Sequence, residues 1–119
     1  MARAAAMAIA AAFAPLAVAQ EGLRPYVVEG DSIPMSLTGA EGDPARGREI
    51  VTNMFVGLCM LCHSGPFSDV PQQGTLAPDL KGTGSRWSVG QLRLRMVDPS
   101  LFVPNTIMPA YYRINHLQR

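Results

Sequence analysis

The chain is poor in the residues that most often carry chemistry. In 119 residues there are two cysteines, two histidines and one tryptophan. Charge of either sign is also short of an excess, with a formal net charge of +1. Each scarcity excludes something. A balanced charge advertises no polyanion-binding face, so nucleic acid is not an expected partner. A structural zinc site needs four ligands, and the only Cys and His side chains on offer are Cys59, Cys62, His63 and His116. Beyond residue 19 no apolar run approaches the roughly 20 residues that span a bilayer, so the chain is not expected to be membrane-spanning. There is no internal repeat, and the length allows one small domain.

What is abundant is concentrated at the front. Residues 1–19 read MARAAAMAIAAAFAPLAVA. Arg3 supplies a positive start, Ala4 to Leu16 an apolar run, and Ala17-Val18-Ala19 the small residues that a signal peptidase reads. The segment predicts a signal peptide cleaved between Ala19 and Gln20, and a soluble, exported mature protein. The rival reading, a buried or spanning helix, is too short and ends in the wrong flank.

Charge is unevenly spread along the remainder. Residues 20–80 carry Arg24, Arg46 and Arg48 against eight acids. Residues 81–119 carry Lys81, Arg86, Arg93, Arg95, Arg113 and Arg119 against Asp98 alone. Either one face suits an anionic group or partner, or the two halves neutralise each other on folding.

Residues 20–42 are broken by Gly22, Pro25, Gly30, Pro34, Gly39 and Gly42 and predict an extended arm, lying on the domain or on a partner. YVVEG within it reads as one short strand. GDPARGREIVTNMFVGLCMLCH predicts a first helix, with Asp43 as N-cap and Pro44 at the first helical position. Ile50, Met54 and Leu58 would form one apolar face, the helix would fray near Gly57, and Gly47 would mark a close helix crossing. Residues 64–86 show neither helical nor strand period. So long an irregular stretch points to a large non-protein object around which it wraps. SVGQLRLRMVDPS predicts a second helix, opened by a Ser88/Gln91 capping box and closed by Asp98-Pro99. Val89, Leu92 and Met96 would make its apolar stripe, with Arg93 and Arg95 turned to solvent or an acidic partner. LFVPNTIMPAYYRINHLQR is a second loop, braced by Pro104 and Pro109.

Cys59-Met60-Leu61-Cys62-His63 is the C-x-x-C-H pattern of c-type haem attachment. Two thiols add across two haem vinyl groups, and two intervening residues let both sulfurs reach one porphyrin edge. The following imidazole can then bind iron. A redox dithiol is the first rival, but it expects a strand-to-helix setting, whereas here a helix precedes and a long Gly/Pro loop follows. Zinc is the second. Haem also answers the shortage of core, because it offers apolar surface for Ile50, Met54, Leu76, Leu80, Leu92 and Met96.

Electron carriers often pair the histidine with a methionine. Met54 and Met96 fall on helix faces, Met60 is inside the motif and Met35 precedes the domain. Met108, in the proline-braced loop, is the expected sixth ligand. His116 is the competitor, and an open iron the remaining case. Pro78 can present its carbonyl to the Nδ1 proton of His63. Arg86 and Trp87 can bind the haem propionates, or be surface and packing residues.

Together GDPARGREI, GLCMLCH, GTLAPDL, GSRW, LRLRMVDPS and TIMPAYYR resemble the SoxX subunit of the thiosulfate-oxidising SoxAX cytochrome, a class I c-type cytochrome. The resemblance covers most of residues 25–119. It implies an all-α class I cytochrome c fold, with short helices and long loops wrapped around one covalent haem. Residues 1–19 would be the signal peptide, 20–42 the extended arm and 43–119 the cytochrome domain. It implies that Cys59 and Cys62 hold the haem, that His63 and Met108 ligate iron, and that Pro78 orients the histidine. It implies a periplasmic heterodimer with a SoxA-type cytochrome subunit, coupling thiosulfate to a cysteine of a sulfur-carrier protein and passing electrons to a soluble or membrane acceptor. Both cysteines here would be consumed by thioethers, so the catalytic cysteine is expected on the partner and this subunit is expected to receive electrons. The family pattern continues past HLQR into a helix that crosses the first, and the chain is expected to lack that helix. A free-standing monohaem shuttle is the alternative, followed by a haem sensor or peroxidase with an open iron.

Overall fold

The computed structural model describes residues 22–114. The expected leader, Gln20, Glu21 and His116 lie outside the described residues. Within them there are three α-helices, two short 3₁₀ turns and no strand.

Helix α1 spans Pro44–Thr52. The Asp43 carboxylate accepts from the backbone N–H groups of Ala45 and Arg46, at 2.9 and 3.1 Å. It thereby satisfies donors that a helix start leaves open. The helix stops well short of Gly57, where the sequence pattern placed its end. Asn53 is the cause: its Oδ1 accepts from the N–H groups of Phe55 and Val56, at 2.9 and 3.1 Å, in competition with the helical ladder. The chain then doubles back so closely that a Cβ on Gly57 would stand 2.1 Å from the Ile50 carbonyl oxygen. Ile50, Met54 and Leu58 consequently do not share a helix face. Met54 and Leu58 lie past its end, and no residue of α1 is buried. Nothing approaches within 4 Å of where a Cβ on Gly47 would be, so no element crosses there among the described residues.

Leu58 adopts left-handed backbone, φ 61°, and swings the chain into a 3₁₀ turn at Cys59–Leu61. An irregular loop follows. It ends in a four-residue helix, α2, Thr83–Arg86, that the sequence pattern did not indicate. Gly82, at φ 71°, starts it, and the Arg86 guanidinium folds back onto the Lys81 carbonyl at 2.7 Å.

Helix α3 spans Val89–Val97 and opens on the full capping box. Gln91 N–H donates to Ser88 Oγ at 3.2 Å, and Ser88 N–H to Gln91 Oε1 at 2.8 Å. It closes at Asp98-Pro99 and passes into a 3₁₀ turn, Pro99–Leu101. The face it buries is not the expected stripe. Leu94 and Val97 are buried, whereas Val89 and Met96 are exposed.

Residues 22–42 decide which face is covered. Ile33 is 1% exposed and packs on Leu94 and Val97, with Leu37, Phe102 and Tyr112 around them. Ile33 N–H donates to the Gly90 carbonyl at 3.0 Å, and Gln91 Nε2 to Asp31 at 2.6 Å. Gly90 permits the approach, since a Cβ there would meet Ser32 Cβ at 3.1 Å. Fully burying side chains of this kind stabilises by about 1.5–3 kcal/mol each. YVVEG contributes no strand, only an isolated bridge between Glu29 and Ser32.

The two arginines expected to face solvent or an acidic partner are engaged within the chain. Arg93 donates to the Ile33 and Pro34 carbonyls. Arg95 lies between the rings of Trp87, 3.7 Å to the centroid, and Phe102, 4.0 Å. Among the described residues the ion pairs are Arg48–Asp69 and Arg113–Asp98, the latter at 3.1 Å. Each joins residues of the same half of the chain, while across the halves the charges of Lys81 and Arg86 act on Asp79. No helix among the described residues is long and apolar enough to cross a membrane.

Candidate functional site

Three segments enclose one cavity of about 600 Å³: residues 58–63, 76–78 and 103–111. Each is irregular, so hydrogen bonds rather than helical ladders must hold it.

The first wall is the 3₁₀ turn. Cys62 N–H and His63 N–H both donate to the Cys59 carbonyl, at 3.2 and 2.9 Å. That tight winding brings Cys59, Cys62 and His63 to the cavity together. The thiols are not joined in a disulfide and are half-buried. Met60 is 1% exposed and turns the other way, onto a smaller cavity of about 360 Å³ shared with Met54 and Gly74. It anchors the turn from behind.

The second wall is strapped to the first. Gly74 N–H donates to Met60, Ala77 N–H to Cys62 and Leu80 N–H to Ser64, at 2.8, 2.9 and 2.8 Å. A Cβ on Gly74 would lie 2.3 Å from the Leu61 carbonyl oxygen, so only glycine allows this approach. Gln73 cross-ties the loop, accepting from Gly65 N–H at 2.7 Å and donating to the Phe67 and Val70 carbonyls at 2.7 and 3.2 Å. These bonds set Pro78 so that its carbonyl oxygen is 2.7 Å from His63 Nδ1. A carbonyl can only accept, so Nδ1 carries a hydrogen, and in the neutral ring Nε2 is the nitrogen with the lone pair. Next to Pro78, Asp79 accepts from Lys81 N–H and from Ser64 Oγ, the latter at 2.8 Å. The Lys81 amide, followed by the Ser64 hydroxyl, holds the Asp79 carboxyl below the usual range.

The third wall carries Met108, whose N–H donates to Thr106 Oγ1 at 3.2 Å. It ends at Tyr111. There the backbone N–H donates to the Met96 carbonyl at 3.0 Å, and the hydroxyl to the Gly57 carbonyl at 2.9 Å. The Cys59 thiol donates to that same carbonyl at 3.3 Å. Burial pushes both the Cys59 thiol and the Tyr111 phenol above their ordinary values.

Cys59, Cys62, His63, Pro78 and Met108 therefore line one cavity, contributed by three separate stretches of chain. Arg86 and Trp87 do not line it. The Arg86 guanidinium is occupied by the Lys81 and Asp79 carbonyls, and Trp87 covers Arg95. Of the apolar residues expected against a cofactor only Leu76 is on the wall; Ile50, Met54, Leu80, Leu92 and Met96 are not. Sequence reasoning passed over Thr106, Ile107 and Tyr111. Their one signal was proximity to Met108, which does not say where a side chain goes.

The cavity suits a large, mostly apolar cofactor. Its volume lies in the range of ligand-binding cavities, roughly 300–1,000 Å³. Its wall is mostly hydrocarbon, with two thiols, one imidazole and one thioether set in it beside the polar groups of Asn105, Thr106 and Tyr111. Imidazole with thioether is a donor pair for haem iron. Among the described residues no three His, Cys, Asp or Glu side chains converge as a metal cluster. No strand leads into the cysteine turn either, so the zinc and dithiol readings gain no support.

No family model and no curated protein matches the chain. Among solved structures it is similar to the crystal structure of SoxXA from P. pantotrophus. The TM-score is 0.73 and the identity 37%, over 79% of this chain and 69% of that one.

Proposed function

Because the chain belongs to the SoxX family of Sox-complex cytochrome subunits, we propose that it carries one covalent c-type haem and transfers electrons in a periplasmic thiosulfate-oxidising complex. The observation that carries this reading is the convergence of Cys59, Cys62, His63 and Met108 on one apolar cavity.

In this reading Cys59 and Cys62 hold the haem by thioethers, and His63 and Met108 ligate its iron. When bound, the haem supplies a one-electron couple. The protein's own residues do the rest. Pro78 fixes the tautomer and plane of His63 through the 2.7 Å bond to Nδ1, which also makes Nε2 a better donor. Leu58, Leu61, Leu76 and Ile107 would lie against the bound haem and shield it from water, which would favour the less charged, reduced state. Arg86 and Trp87 act at one remove, the first by fixing the loop that bears Pro78, the second by holding Arg95.

The partner is a SoxA-type subunit, named together with the SoxX-type chain in the similar structure. The wider complex conjugates thiosulfate to a cysteine of a sulfur-carrier protein. Thioether formation leaves this chain without a free thiol, so the sulfur nucleophile sits on the partner and this subunit accepts the electrons. Residues 1–19 serve as the signal peptide, residues 20–42 as an arm and residues 43–119 as the cytochrome domain.

The test is the intact mass of the protein and its co-purifying partner from native periplasm. Cleavage at Ala19–Gln20, one haem bound through thioethers and a second haem-bearing subunit are expected. A haem-bearing chain that runs alone turns the reading into a free-standing electron shuttle. A chain without haem overturns it.

A further inference from the structure

Adjacent tyrosines face different parts of the molecule. The Tyr112 hydroxyl accepts from Arg24 N–H at 2.8 Å, and its ring meets Tyr26 edge-on at 6.1 Å, so it belongs to the arm. Tyr111 lines the cavity and reaches across to the turn before Cys59, 54 residues away in sequence. We propose that Tyr111 is a positioning residue for the Met108 ligand, a clasp that closes the third wall onto the cysteine turn. The inference rests on the haem reading above.

Both ends of the clasp are fixed. The Tyr111 N–H is bonded to the Met96 carbonyl in α3, at 3.0 Å, which sets the backbone three residues beyond Met108. The acceptor at the other end, the Gly57 carbonyl, belongs to a residue pressed so near Ile50 that no other side chain fits. Between these anchors the phenol is the side chain that joins the Met108 wall to the Cys59 wall by a hydrogen bond.

Attachment chemistry sharpens the role. The Gly57 carbonyl now accepts from both the Cys59 thiol and Tyr111. When the S–H adds across a vinyl group, the sulfur bonds to one carbon and the hydrogen goes to the other. The thiol donor is then gone. The Tyr111 hydroxyl remains as the donor to that carbonyl, and the clasp persists in the loaded protein.

The experiment compares the holoprotein with Tyr111→Phe, Tyr112→Phe, Met108→Ala and the Tyr111→Phe/Met108→Ala double variant. Haem attachment is read by intact mass and iron ligation by carbon monoxide affinity of the ferrous form. Tyr111→Phe should keep its covalent haem and bind carbon monoxide roughly two- to tenfold more tightly, the factor one net hydrogen bond carries. Tyr112→Phe should match the wild type. In the Met108→Ala background the Tyr111 change should add nothing, since no ligand is left to position.

Wild-type affinity in Tyr111→Phe overturns the proposal. So does an equal increase in the Met108→Ala background, which would make the tyrosine a general plug. Failure of Tyr111→Phe to accumulate as holoprotein, where Tyr112→Phe accumulates, also overturns it in favour of a purely structural role. A wild-type protein without haem, or one that binds carbon monoxide as readily as Met108→Ala, sinks the haem-ligation reading itself, before any tyrosine is changed.

Discussion

The arm–α3 cluster and the cavity are filled by different things. Around Ile33, Leu94 and Val97 the chain packs against itself, and apolar burial does the holding. Around the cavity the walls meet through their backbones. Backbone straps and the Tyr111 bond join the walls, and the Gln73 cross-tie braces the loop between them. Apolar side chains stay open to solvent there, with Leu76 70% and Ile107 74% exposed. Polypeptide completes the first region; the second has an outline fixed by polar bonds and an apolar interior to be supplied. A hydrogen bond contributes about 1 kcal/mol net, while an apolar residue left in water gives up about 1.5–3 kcal/mol. The cavity region should therefore depend on its ligand far more than the cluster does.

The largest expected effect tests that dependence. Replacing Cys59 and Cys62 together by Ala should abolish covalent haem, read by mass. Hydrogen exchange should then show amides of residues 58–80 and 103–111 losing protection, while those of α3 keep theirs. Equal loss in both regions would erase the distinction. Next comes Leu94→Ala, which should cost about 2–5 kcal/mol in chemical denaturation. The absorption spectrum of the molecules still folded should be unchanged.

A pH effect follows. Hydrogen bonds from Ser100, with Arg113 adding its charge, hold the Asp98 carboxyl below the usual range. A carboxyl depressed on folding contributes stability above its unfolded value of about 4. That contribution is lost as pH falls through the folded value. Asp98→Asn should lower stability at neutral pH and flatten the acid decline, checked by denaturant midpoints from pH 7 to 3. The smallest effect is Ser88→Ala, which removes half of the capping box and should cost about 1 kcal/mol, with iron ligation untouched.

Local chemistry was readable in the sequence where it acts over three or four residues. Asp43-Pro44 and the Ser88/Gln91 box start helices, and Asp98-Pro99 stops one, because each bond is made to a near neighbour. The cysteine turn was readable for the same reason. The length of α1 was not, because Asn53 offered a rival set of bonds equally near at hand. The buried face of α3 could not be read at all from its own periodicity. Val89 and Met96 fit the pattern as well as Leu94 and Val97, and the choice was made by Ile33, some 60 residues away. Arg93 is claimed by arm carbonyls equally distant in sequence, whereas Arg95 is claimed by two rings close along the chain, Trp87 and Phe102. The Tyr111 clasp is likewise a distant contact, to a carbonyl that no sequence pattern marks.

Sequence separation also bears on the order of assembly. The His63–Pro78 bond closes a loop of 15 residues, whereas Tyr111–Gly57 closes one of 54. On chain entropy alone the longer closure costs about 1 kcal/mol more. The histidine and its proline strap can thus be in place while the Met108 segment is still free. That order leaves the cavity as a trough open along one side until the final wall arrives as a latch.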